Sequence, residues 1–321
     1  VFLALLLTTK LGAKQGTWMR VLPGVAIFFA FFIRTTGVIL LASFLAYQAL
    51  LFYQKRTKRR DIVLTSAVVL AAFVLFWFVS SLIFPNGQGS YFQQLMGFTI
   101  ETLLENIRNY FYLFVQFFDS NPTPAWTYIY YVLVAFFAVG VWTRRNTDQV
   151  LIIFFVFYFA AMVIWPEWQG IRFIFPLIPI FIYFSFQGML ASVRMLPETH
   201  HFLGKGVYYL FWLVLAGIFL FNSGTHAYLT LKDDRRINGP FDPVSSDMYN
   251  FIRAETPSES VFVFFKPRAF RLFTDRDAIM ALECDRLLMG DYVVLHKTWE
   301  YSQILPDDIQ NCNLSLKNIY E

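Results

Sequence analysis

The chain has 321 residues, of which 57% are hydrophobic, 20% aromatic and only 15% charged. Soluble domains carry about 25% charged residues, so this composition excludes an ordinary water-soluble protein and indicates one with many membrane spans. The formal charge of +4 does not signal nucleic acid, because the cations cluster in short loops between apolar runs, where membrane topology accounts for them.

Val1 opens inside an apolar run, with no Met and no signal-peptide n-region, which reads as a chain lacking its true N-terminus. Residues 1–9 are the tail of a span, 10–20 a polar turn and 21–33 a short apolar helix, followed by Arg34-Thr35-Thr36-Gly37. Residues 36–53 and 62–84 are each long enough, as helices, to cross a hydrocarbon core of about 30 Å. Between them lies Lys55-Arg56-Thr57-Lys58-Arg59-Arg60. Such a dense basic loop belongs on the cytoplasmic side, and this puts the lone Arg34 near the outer end of its helix pair.

Residues 62–84 return to the outside, where the turn residues of 85–90 break the helix. Residues 96–118 carry Glu101, Glu105 and Arg108 before an aromatic-rich half. A span here would bury three charges, each costing roughly 2.5 to 3.5 kcal/mol at the bilayer centre. An amphipathic helix in the outer interface avoids that cost. Parity agrees, because 126–142 ends at Arg144-Arg145, a second cytoplasmic signature. Residues 150–165 then run outward, 173–193 return to Arg194, and 207–221 run outward again. Residues 1–231 thus hold about seven to eight spans plus the interfacial helix.

From about Lys232 charged residues return and the apolar runs shorten, marking a small extracytoplasmic α/β domain over 232–321. Strands are expected at 260–265 and 291–296, with 314–320 a third, and helices at 245–254 and 267–273, the pattern of β-α-β units. Cys284 and Cys312 are the chain's two cysteines. A disulfide between them is permitted outside the cell, and the sequence leaves the pairing open. No Cys/His spacing suggests zinc. Gly204 and Gly206 follow no strand and so make no nucleotide loop.

The most specific local feature is Glu167-Trp168-Gln169-Gly170-Ile171-Arg172-Phe173, in a short outer loop. One reading is a salt-bridged hairpin, with Arg172 snorkelling to headgroups and Trp165 and Trp168 in the interfacial aromatic belt. The other is that Arg172, joined by Arg34 from another outer helix end, holds the phosphate of a lipid-linked substrate. Glu167, Gln169 and Tyr91 would then flank the substrate, although Tyr91 equally suits the aromatic belt. Asp119 is a substitute carboxylate, with a capping role for Asp119-Ser120-Asn121 as the alternative.

The stretch from Glu167 to Pro179 resembles the acid, R-[FY], P-x-x-P pattern that opens a late helix in the GT-C class of polytopic glycosyltransferases. The segment Phe31-Phe32-Ile33-Arg34-Thr35-Thr36-Gly37 is similar to the basic helix break of bacterial members. The tail, with Ser246-Asp247-Met248-Tyr249, Lys266-Pro267-Arg268 and Thr274-Asp275-Arg276, resembles that of bacterial relatives of dolichyl-phosphate-mannose mannosyltransferases. The resemblance implies an α-helical polytopic protein of the bacterial inner membrane. It would transfer a sugar from a polyprenyl-phosphate donor to an envelope lipid, glycan or protein. In that family the catalytic acid lies in the first large outer loop, and this chain begins after it. No catalytic residue, metal ligand or cofactor is therefore expected within these residues, and any divalent cation would belong with the absent N-terminal part. The expected partners are the lipid-linked donor and membrane lipids, with no nucleic acid. The rival readings are a lipid or solute transporter or flippase, and a polysaccharide polymerase or ligase. The nearly charge-free spans after residue 62 and the lack of an internal repeat favour surface chemistry over transport.

Overall fold

The computed structural model describes residues 1–11, 16–84, 99–117, 123–165, 170–232, 241–281, 284–295, 309 and 311–312. The chain forms two compact units, Val1–Leu220 and Phe221–Glu321.

The first unit is helical. Its elements are α1 (Phe2–Lys10), α2 (Thr17–Ile33), α3 (Val38–Tyr53), α4 (Arg59–Ile83), α5 (Ile100–Leu113), α6 (Pro124–Arg144), α7 (Gln149–Ile164), α8 (Ile178–Arg194) and the part to Leu220 of α9 (His201–Lys232), whose remainder belongs to the second unit. Prolines open α6 and α8 within the first turn, where their missing N–H costs nothing. The stretches Thr35–Tyr53, Arg59–Ile83, Pro124–Arg144 and Glu198–Leu229 are long and apolar enough to cross a bilayer. Trp18–Ile33, Gln149–Ile164 and Ile178–Arg194 are apolar but shorter. Several boundaries differ from the sequence expectation, most of all at α8 and α9. The helix expected from 173 starts at Ile178, because Ile171–Phe173 forms a 3-10 turn, and α9 runs past 221 to Lys232.

Small residues let the helices approach closely. A Cβ on Gly140 of α6 would lie 1.8 Å from the Phe184 carbonyl oxygen, and one on Gly188 of α8 would lie 1.8 Å from that of Phe136. In the same seam Ser185 Oγ donates to the Leu133 carbonyl at 3.0 Å. Around it the rings of Tyr130, Phe137, Phe181 and Phe184 make tilted and edge contacts.

The charge-bearing segment forms α5, capped by Thr99, whose Oγ1 accepts from the Thr102 N–H at 3.1 Å. Successive residues turn by about 100°, which sorts α5 into three faces. Asn106, Tyr110 and Leu113 are buried against the unit. Ile100, Leu104, Ile107 and Phe111 form an apolar edge, 74, 63, 43 and 37% exposed. Glu101, Glu105, Arg108 and Tyr112 form an exposed polar edge. Asn106 Nδ2 ties the helix to the end of α7, donating to the carbonyls of Val163 (3.1 Å) and Trp165 (2.7 Å).

The second unit holds α10 (Pro243–Glu255), β1 (Val261–Val263), α11 (Pro267–Thr274), β2 (Asp277–Ile279), α12 (Cys284–Leu287) and β3 (Tyr292–Val293). The strands are parallel in the order β2-β1-β3. Alternation along β1 puts Phe262 in a cluster with Tyr249, Ile252 and Phe270, and Val263 in another with Ala281, Leu287 and Ile309. Both expected helices and the strands near 261 and 292 are present. The sequence reading passed over β2, and its third strand at 314–320 lies outside the described residues. Cys284 and Cys312 form a disulfide, which settles the pairing that the sequence left open.

Candidate functional site

Two corners of the first unit meet at Arg34. Helix α2 stops at Ile33, Arg34 takes an extended backbone (φ −153°, ψ 127°), and the 3-10 turn Thr35–Gly37 leads straight into α3. The turn folds back on the helix it has just left, so that a Cβ on Gly37 would sit 2.4 Å from the Ala30 carbonyl carbon and the Phe31 nitrogen. Only glycine permits that approach. The buried Tyr158 of α7 lies near Thr36 and Arg34.

The second corner begins at Gly170, whose φ of +69° is one that a side chain would resist. The turn Ile171–Phe173 follows, secured by Ile174 and Leu177, both fully buried. Arg172 is exposed and Phe173 half-buried. The Arg34 guanidinium carbon lies 3.5 Å from the centroid of the Phe173 ring. The two arginine-bearing segments picked out in the sequence therefore touch, through the aromatic neighbour of Arg172.

Some helix-end cations of this unit have partners of their own. Arg144 is 2.7 Å from Asp148, Arg20 is 3.8 Å from Asp61, and Arg56 donates to the Asn146 carbonyl. Among the described residues Arg34 and Arg172 have no carboxylate partner. Guanidinium groups placed this way bind oxyanions through charge-assisted hydrogen bonds.

An apolar groove of about 510 Å³ runs along the first turns of α8, lined by Phe175, Ile178, Ile182, Phe186 and Phe117. Sequence reasoning found neither this groove nor the part played by Phe173. The adjacency of Arg172 and Phe173 was visible, but the ring's contact with Arg34 spans 139 positions of chain. Of the remaining expected site residues, Tyr91, Glu167 and Gln169, like Asp119, lie outside the described residues. Among the described residues no three His, Cys, Asp or Glu side chains gather into a metal-ligand cluster.

Comparison of the chain with family models, with curated proteins and with solved structures finds no match.

Proposed function

We propose that this chain is the membrane part of a glycosyltransferase that moves a sugar from a polyprenyl-phosphate donor to an envelope acceptor at the outer face. The observation that carries this reading is Arg34 lying over the ring of Phe173, the chain neighbour of Arg172, without a carboxylate partner among the described residues, while an apolar groove includes Phe175 two residues further along the chain. The groove suits an isoprenoid chain, and the two cations suit its phosphate. In the transfer the bond from anomeric carbon to phosphate oxygen breaks and the negative charge gathers on the carrier phosphate. Cations in place beforehand stabilise that charge as it develops. The acceptor oxygen bonds to the anomeric carbon as its hydroxyl proton passes to a carboxylate.

The topology supports the same reading. The basic loop at 55–60 and Arg144-Arg145 mark the cytoplasmic side, so both arginine corners fall at the outer side, with α5 laid in the interface on its apolar edge. A disulfide in the second unit is in keeping with an oxidising, extracytoplasmic setting.

The test is transfer of a radiolabelled sugar in proteoliposomes by the full-length protein, offered polyprenyl-phosphate and polyprenyl-diphosphate donors. The Arg172→Ala variant is expected to lose about 10²- to 10³-fold in rate, as removal of one charge-stabilising donor does elsewhere, with membrane insertion intact. Full activity in that variant would end the phosphate-clamp reading. Flipping of the lipid with no sugar transfer from any donor would replace the enzyme by a transporter.

A further inference from the structure

We propose that Phe173 is a positioning residue, whose ring holds the Arg34 guanidinium so that its N–H edge, rather than its face, is turned to an incoming phosphate. The proposal rests on the anion-binding reading of the same site and adds the residue that makes Arg34 effective.

The five N–H donors of an arginine lie in the plane of the guanidinium. A ring centroid 3.5 Å from the guanidinium carbon sits against one face of that plane and not against the edge that carries the donors. A carboxylate partner would orient the group too, but it would use those donors and cancel the charge, as Asp148 does for Arg144. The phenyl ring orients the guanidinium without spending either. It also removes rotamer freedom before the ligand arrives, and preorganisation of this kind is what raises affinity in long, flexible side chains.

The scaffolding on each side is rigid enough for this role. The Arg34 backbone is fixed by its own N–H bond to the Ala30 carbonyl at 3.1 Å and by the Gly37 approach. The Phe173 N–H donates to the Gly170 carbonyl at 3.2 Å, and the next residue, Ile174, is fully buried. Arg172, exposed, lies one residue earlier on the same turn.

The experiment measures binding of farnesyl phosphate and of its uncharged counterpart farnesol to the full-length protein in nanodiscs. The variants are F173L, F173W, R34A and R34A/F173L, each checked for an unchanged thermal transition. F173L is expected to weaken farnesyl phosphate about 5- to 30-fold, the range of a partly desolvated cation–π contact, and to leave farnesol unchanged. F173W, which restores an aromatic face, should bind within about threefold of the wild type. Added to R34A, F173L should have no further effect, because the ring acts only through that arginine. The proposal is overturned if F173L binds farnesyl phosphate as the wild type does, weakens both probes alike, or adds its full effect to that of R34A. A wild type that does not distinguish farnesyl phosphate from farnesol removes the anion reading and this proposal together. A wild type that does, with F173L keeping the preference, removes this proposal alone.

Discussion

Replacing Gly188 by alanine adds one methyl group, and the effect expected from the α6–α8 seam has the opposite sign to the usual one. Inside a helix, glycine to alanine stabilises by about 1 kcal/mol through backbone entropy and propensity. At Gly188 the new Cβ falls 1.8 Å from the Phe136 carbonyl oxygen and 2.7 Å from the Gly140 nitrogen. Both obstacles are backbone, so no rotamer change relieves them. A carbon–oxygen contact settles at about 3.3 to 3.6 Å, so the helices must part by roughly 1.5 Å. That separation loosens Leu133, Phe181 and Phe184, each at most 4% exposed, and stretches the Ser185 bond to Leu133. Overpacking costs about 1 to 3 kcal/mol, and an unyielding backbone puts this case at the upper end. After the propensity gain, a net loss of about 2 kcal/mol remains. Gly217 of α9 is the internal control, because a Cβ there meets nothing within 4 Å. The assay is unfolding in mixed micelles with increasing SDS, followed by circular dichroism. Gly188→Ala should unfold at lower SDS than the wild type, and Gly217→Ala at the same or higher. Equal stability of the two variants would refute the close crossing.

Four further outcomes follow from the packing. Reducing the Cys284–Cys312 bond, which closes a separation of 28 residues, should destabilise the second unit by about 3 kcal/mol; an unchanged melting transition with dithiothreitol would count against the bond. Asn106→Leu removes both donations to the end of α7 and should cost about 2 kcal/mol, read as faster amide exchange confined to α5 and the last turn of α7. Asp61→Asn should destabilise by about 1 to 2 kcal/mol, below the full cost of breaking a buried pair because the contact is long and Asp61 partly exposed. Arg20→Met should cost less than Asp61→Asn, since it leaves no buried cation behind, and the reverse order in the same SDS assay would contradict this.

What the sequence reveals and what it withholds divide along range. The apolar runs, the basic loops and the prolines at the starts of α6 and α8 are local signals, and they place most helices to within a few residues. The polar edge of α5 is equally legible, because Glu101, Glu105 and Arg108 recur at helical spacing. The start of α8 was misjudged because 173–178 is as apolar as the helix behind it, and only the turn at Ile171–Phe173 breaks the run. Strand β2 escaped notice because Asp277-Ala278-Ile279 is too short to show alternation and becomes a strand by pairing with β1. The arginine corners were found as charges in unusual places. Their meeting over Phe173 was not, because nothing local to either segment specifies the other.

The anchors of α5 bear on the order in which the protein is assembled. Its two Asn106 contacts lie 57 and 59 residues downstream, at the far end of α7. When α5 leaves the ribosome, neither acceptor has been synthesised. A helix with one apolar and one charged edge has a holding place in the headgroup region until they are. The Asn106 tie is thus made two helices later, and a chain stalled before the end of α7 would carry α5 with its bonds to Tyr130 and Tyr131 of α6 but without that tie.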